Sequence, residues 1–127
     1  MTTMEASLHQ VALKADDVSR ATRFWTTHLG ARPIARFGDL SFLWVGETRL
    51  LLEPGAPSGL IYLRVDSVRS SIERMRADGV VVETEPHVIF TDDDGLFGEA
   101  GVDEWMAFVR DSEGNLVGLA SREPLES

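Results

Sequence analysis

His87 follows Pro86 and precedes the apolar run Val88-Ile89-Phe90, a setting in which an imidazole can serve near neutral pH as a general base or a relocated metal ligand. The competing role is a structural histidine, hydrogen-bonded in a strand that the proline has bent. The other two histidines are His9, ahead of a helical stretch, and His28, within it near its C-terminus. There is no cysteine, which removes disulfides, thiolate metal sites and a thiol nucleophile together. Asp92-Asp93-Asp94-Gly95 has the look of a calcium loop, but setting Gly95 at the sixth position puts Phe90 first and Gly101 twelfth, where acids are required. Gly95, Gly98 and Gly101 do not lead from a strand into a helix as phosphate loops do. Residues Asp92 to Asp103 are therefore expected to form a mobile acidic loop or lid. No Gly-x-Ser-x-Gly elbow and no basic-aromatic stripe occurs, so hydrolase and nucleic-acid functions have no positive support.

The elements that must position these residues come in two similar sets. Leu8 to Ala15 alternates, with His9, Val11, Leu13 and Ala15 on one side of a strand and Gln10, Ala12 and Lys14 on the other. This parity puts His9 partly under the following helix. Asp16-Asp17 supplies an N-cap, Val18, Ala21, Trp25 and Leu29 follow at helical spacing, and Gly30 provides the stop. His28 near the helix C-terminus suits the dipole and needs no further role. Fifty positions later the order returns: Leu60 to Val65 alternates, Asp66-Ser67 caps, Val68, Ile72 and Met75 form a stripe, and Gly79 ends it. Strand-like segments follow each helix, at 33–37, 41–45 and 49–53, then at 81–90, 105–110 and 116–120. Both halves read βαβββ. The breaker-rich stretch Pro54 to Gly59 between them is too short for a flexible tether, which predicts two modules locked into one unit.

The size and charge of the chain narrow the partners. A length of 127 residues suits one domain, and the 43% hydrophobic and 26% charged composition is that of a folded globular protein. A net charge of −9 repels phosphate backbones and anionic lipid, so neither nucleic acid nor membrane is expected. Met1 to Glu5 lacks the basic and apolar regions of an export signal, and no apolar run approaches a membrane span. The expected location is the cytoplasm.

Two stretches resemble a known family. The opening His9-Gln10-Val11-Ala12-Leu13-Lys14-Ala15-Asp16-Asp17-Val18, with Phe24-Trp25 and Leu29-Gly30 downstream, is similar to the module opening of the vicinal-oxygen-chelate superfamily, the glyoxalase, bleomycin-resistance and dioxygenase group. Trp105 to Leu116 resembles its module closing, and the likeness runs from about Leu8 to Ser121. It implies an α+β fold of residues 1–127 as a single domain, with two tandem βαβββ modules at about 8–54 and 59–121. Their curved mixed sheets would enclose a cavity, helices outside. A homodimer is also implied. Pro86-His87 is similar to a recurring element of one branch.

Many relatives are metalloenzymes in which four ligands on the first and last strands of each module hold a divalent ion acting as a Lewis acid. The resemblance carries those positions to Gln10, Leu50, Leu60 and Gly118, of which only Gln10 can donate. Glu53, three residues past Leu50, has the opposite parity and is expected to face solvent. If Gln10 faces the cavity, period two adds Ala12, Leu60, Tyr62, Leu50, Leu52, Leu116 and Ala120, with Lys14 and Arg64 at the strand ends. The implied function is a small-molecule-binding protein without a metal cofactor, taking an apolar or aromatic ligand through Gln10, Leu50, Leu52, Leu60, Tyr62, Arg64 and Leu116, with His87 as the one candidate catalytic residue. The alternative is a lyase, isomerase, epimerase or dioxygenase using one divalent metal on a shifted set of Gln10, His87 and Glu53. A third reading is an interaction domain whose cavity is filled by its own side chains. Three apolar ligand positions of four favour the first.

Overall fold

A computed structural model describes residues 5–125. Residues 1–4, on which part of the export-signal expectation rests, lie outside them. The first module contains β1 (Gln10–Lys14), α1 (Val18–His28), β2 (Arg32–Phe37), β3 (Leu40–Val45) and β4 (Thr48–Glu53). The second contains β5 (Leu60–Arg64), α2 (Val68–Ala77), β6 (Val82–Asp92), β7 (Val102–Arg110) and β8 (Leu116–Pro124). The chain divides into two compact units between Gly59 and Leu60. Each unit is an open, curved mixed sheet with one helix on one face, so the fold is α+β with tandem βαβββ modules. Among the described residues, no helix is long and apolar enough to cross a membrane.

Each helix starts and stops where its polar and glycine residues dictate. The Asp17 side chain accepts from the Arg20 N–H at 3.0 Å, and Ser67 accepts from the Ser70 N–H at 3.2 Å. Beyond the C-termini, Gly30 and Gly79 take φ values of 69° and 83°, which side chains with a Cβ rarely adopt. Both sheets place the first strand of the module parallel to its last, in the orders β1-β4-β3-β2 and β5-β8-β7-β6. The capped helix carries the chain from the first strand of each module to the second at the far edge of the sheet, a parallel crossover that no tight turn could make. The following antiparallel strands bring it back beside the first.

The two cores follow from the alternation. In the first, Leu13, Leu43, Leu50 and Leu52 pack with Val18, Ala21 and Trp25 of α1, all of them buried. Each fully buried side chain of this size contributes roughly 1.5–3 kcal/mol. In the second, Ala107, Val109, Val117 and Leu119 meet Val68, Ile72 and Met75 of α2. Ser121 sits in this apolar layer because its hydroxyl accepts from the Val68 N–H at 3.1 Å and donates to Glu123 at 2.6 Å. Without that oxygen the first N–H of α2 would be buried unpaired.

The segment 92–103 differs from the mobile acidic loop expected. Asp92 ends β6 and is buried, while Val102 and Asp103 already belong to β7. The Asp92 carboxylate accepts from the N–H groups of Leu96 at 2.7 Å and Phe97 at 3.0 Å, and from Arg122 Nη2 at 2.7 Å. Arg122 also donates to Glu104 at 3.2 Å and to the Glu99 carbonyl at 3.0 Å. One acid of the run thus ties the connection down from inside, and the paired charges lie where β7 and β8 run on past the expected segments, at 102–104 and 121–124.

These bonds stabilise the Asp92 anion, the Phe97 N–H first and the Arg122 guanidinium next, and lower its pKa from 3.8 to about 2. The resulting contribution to stability is complete above about pH 4 and disappears as pH falls through about 2. Denaturant titrations from pH 5 to 2 should show wild type losing an increment over that window that Asp92→Asn lacks. Parallel pH profiles for the two proteins would refute the assignment.

Candidate functional site

Residues directly opposite each other on paired strands point to the same face of a sheet. In the first module Gln10 lies opposite Arg49, Ala12 opposite Leu51 and Lys14 opposite Glu53. The face away from α1 therefore carries Gln10, Arg49, Leu51 and Glu53. It continues through Phe42 and Trp44 of β3 to Ala35 and Phe37 of β2. Leu50 and Leu52 lie opposite Val11 and Leu13 and are 2% and 0% exposed, on the helix side. The expectation that these two leucines line a ligand site is corrected: they are core. Glu53 is corrected in the opposite sense, because it shares the face of Gln10. Leu50-Leu51-Leu52 is apolar at three successive positions, so the run contains no alternation from which to read its parity.

Ile34, Ala35, Phe37, Phe42 and Arg49 line a cleft of about 250 Å³ on this face. The strand irregularity between Pro33 and Ala35 opens it, leaving Ile34 outside the regular ladder. The Phe37 and Phe42 rings meet edge to face at 6.2 Å, and the Arg49 guanidinium lies 5.7 Å from the centre of the Phe42 ring. Arg49 Nε donates to Gln10 Oε1 at 2.7 Å, and Nη2 lies 3.0 Å from His9 Nε2. Arginine has only donors, so that ring nitrogen is the acceptor. His9 is exposed and stands just before β1, so strand parity does not place it under the helix as expected. Arg49 was not singled out in the sequence, because the parity given to β4 turned it toward the core. The His28 ring packs against Phe24 at a centroid distance of 4.9 Å, tilted by 57°.

In the second module Leu60, Tyr62 and Arg64 lie opposite Leu116, Gly118 and Ala120, and Phe108 and Met106 extend the same face. The Tyr62 ring covers Gly118: a Cβ there would lie 2.5 Å from the ring, which packs edge to face on Phe108 at 5.8 Å. His87 lies opposite Met106 between two irregularities of β6 and is exposed. Its Nδ1 is 2.9 Å from the carbonyl of Glu85 in its own strand.

A profile of the Glyoxalase/Bleomycin resistance protein/Dioxygenase superfamily matches residues 7–119. The chain belongs to that superfamily. Solved structures of similar fold include lactoylglutathione lyase from Agrobacterium tumefaciens, at 20% identity and a TM-score of 0.73 over 94% of this chain and 96% of that one. TioX from Micromonospora sp. ML1 gives 21% and 0.67 over 91% and 98%. A glyoxalase/bleomycin resistance protein/dioxygenase from Alicyclobacillus acidocaldarius gives 16% and 0.66 over 91% of each chain. At these identities the likeness is one of fold. No curated protein matches in sequence.

The ligand positions of the superfamily's metalloenzymes can be tested against these faces. The repeat equates Gln10 with Leu60, and the strand registers then equate Gly118 with Leu51 in place of Leu50. Leu51 and Leu60 have no donor atom, the Tyr62 ring occupies the space above Gly118, and the Gln10 oxygen is taken by Arg49. Glu53 lies four residues along from Gln10, about 13 Å at ~3.3 Å per residue, too far to share an ion readily. Among the described residues, no three of His, Asp and Glu are grouped to hold a metal. The residues do not fit the metal.

Gly118→Ala should cost about 1 kcal/mol by forcing the Tyr62 ring aside. In a Tyr62→Ala background the cost should fall, because only the Phe108 ring, 3.1 Å from such a Cβ, still has to give way and alanine gains over glycine in a strand. Equal costs in both backgrounds, measured by denaturant unfolding, would show that the ring does not require the glycine.

Proposed function

We propose that this chain is a metal-independent small-molecule-binding protein taking an apolar or aromatic ligand. The observation that carries this reading is Gly118 beneath the Tyr62 ring, with Leu51 and Leu60 at the neighbouring ligand positions. A metal-assisted member needs about three protein donors, and this arrangement supplies none at those three positions. Affinity then comes from apolar burial, at about 25 cal/mol per Å², less the cost of immobilising the ligand. Gln10, Leu60, Tyr62, Arg64 and Leu116 lie on the faces away from the helices, which supports their proposed part in binding. The alternative, a metal-dependent enzyme on Gln10, His87 and Glu53, has less support, because Gln10 is engaged by Arg49 and distant from Glu53. The bond of His87 to its own strand supports a structural histidine over a general base.

The purified protein is expected to contain well under one equivalent of zinc, nickel, iron or manganese by elemental analysis, with unfolding temperature and ligand binding unchanged by EDTA. A stoichiometric metal lost together with activity in Gln10→Ala would favour the enzyme.

We also propose a cytoplasmic location and a homodimer, the second resting on membership of the superfamily. Sedimentation equilibrium at micromolar concentration should give twice the 14.0 kDa chain mass. A single 14.0 kDa species would exclude the dimer.

A further inference from the structure

Arg49 is half-buried on a strand whose next three residues are leucine, and its guanidinium rests against the Phe42 ring. A cation withdrawn from water is normally given a carboxylate. Arg122, whose side chain is 9% exposed, follows that rule by pairing with Asp92 and Glu104. Among the described residues, Arg49 meets no carboxylate, in a chain with 21 acidic residues against 12 basic ones. Its protein partners are two neutral acceptors, the Gln10 amide oxygen and the His9 ring nitrogen. They hold Nε and one edge of Nη2, and no protein acceptor meets Nη1 among the described residues. The guanidinium is thus fixed in direction and uncompensated in charge, and it forms the single charged wall of a cleft otherwise lined by Ile34, Ala35, Phe37 and Phe42.

We infer that this cleft binds an aromatic carboxylate, with the anionic head on Arg49 and the ring against Phe37, Phe42 and Ile34. The inference rests on the metal-independent binding reading and adds to it the charge and size of the ligand. The cleft holds about 250 Å³. An apolar cavity of about 150 Å³ accepts benzene. One ring, or two fused rings, with a carboxylate is therefore a class of the right scale for this cleft. Gln10 is a positioning residue here, since it acts through the guanidinium.

The probes are 2-naphthoate and its uncharged isostere 2-naphthamide, titrated by calorimetry into wild type, Arg49→Met, Arg49→Lys and Gln10→Ala. A charge-assisted hydrogen bond in such a site corresponds to roughly ten- to hundredfold in affinity, so wild type should prefer naphthoate by that factor. Arg49→Met should lose the preference while keeping its affinity for naphthamide, and Arg49→Lys should keep part of it. Gln10→Ala should weaken naphthoate alone. Unfolding curves of all four proteins establish that the variants fold. Equal binding of the two probes by wild type, or a preference that survives Arg49→Met, would overturn the carboxylate inference and leave the apolar-binder reading standing. Binding of neither probe would overturn this assignment of the cleft. If metal analysis then found a stoichiometric ion, the binder reading would fall with it. A change of sedimenting mass in Arg49→Met, with no effect on either probe, would give this face to a second copy of the chain.

Discussion

The parallel pairing of the first strand of each module with its last decides which side chains share a face. Because side chains alternate, sliding β1 on β4 by one residue would turn Gln10 and Arg49 to opposite sides and break their 2.7 Å hydrogen bond. The pairing is itself held by the helix that joins the module's strands, through Leu13, Leu52 and Trp25 in the first module and Leu119, Ile72 and Val68 in the second. The helix core and the chemistry of the opposite face are therefore one constraint. A change that loosens the core also misplaces the guanidinium.

Buried polar groups complete what apolar packing cannot specify. The turn between β7 and β8 is organised by Asp111, which accepts from the N–H groups of Glu113 and Asn115 at 2.9 and 2.8 Å and from the Asn115 side chain at 2.9 Å. Both residues are almost wholly buried, and Gly114 between them takes a φ of 84°. Asp92 does the same for the connection between β6 and β7. In both places a carboxylate gathers backbone donors that strand pairing leaves over, which helps fix the loop conformation.

Much of this architecture was legible in the residues, and the reasons are particular. Asp17 and Gly30, like Ser67 and Gly79, state where each helix begins and ends by local chemistry alone. The alternation in Leu60 to Arg64 groups Leu60, Tyr62 and Arg64 on one face, as the register with β8 does. The reading failed where the pattern is silent: Leu50-Leu51-Leu52 carries no period, so its parity could be settled only by the partner strand. It failed again at Asp92, where a cluster of acids reads as solvated unless Arg122, thirty residues away, is known to lie beside it. The cleft around Arg49 was missed for the first of these reasons. A single cation beside an apolar run was the available signal, and it carried no weight while the strand was turned the wrong way.

The ring over Gly118 bears on how relatives of this chain can diverge. A donor side chain at that position would enter space the tyrosine already fills, so the ring would have to move aside or be replaced by something smaller. Tyr62 can be lost alone with little disturbance, since it is more than half exposed. A side chain gained at position 118 while the tyrosine is present must first displace the ring, whereas the same gain after loss of the ring need not, so the order of the two substitutions changes their cost.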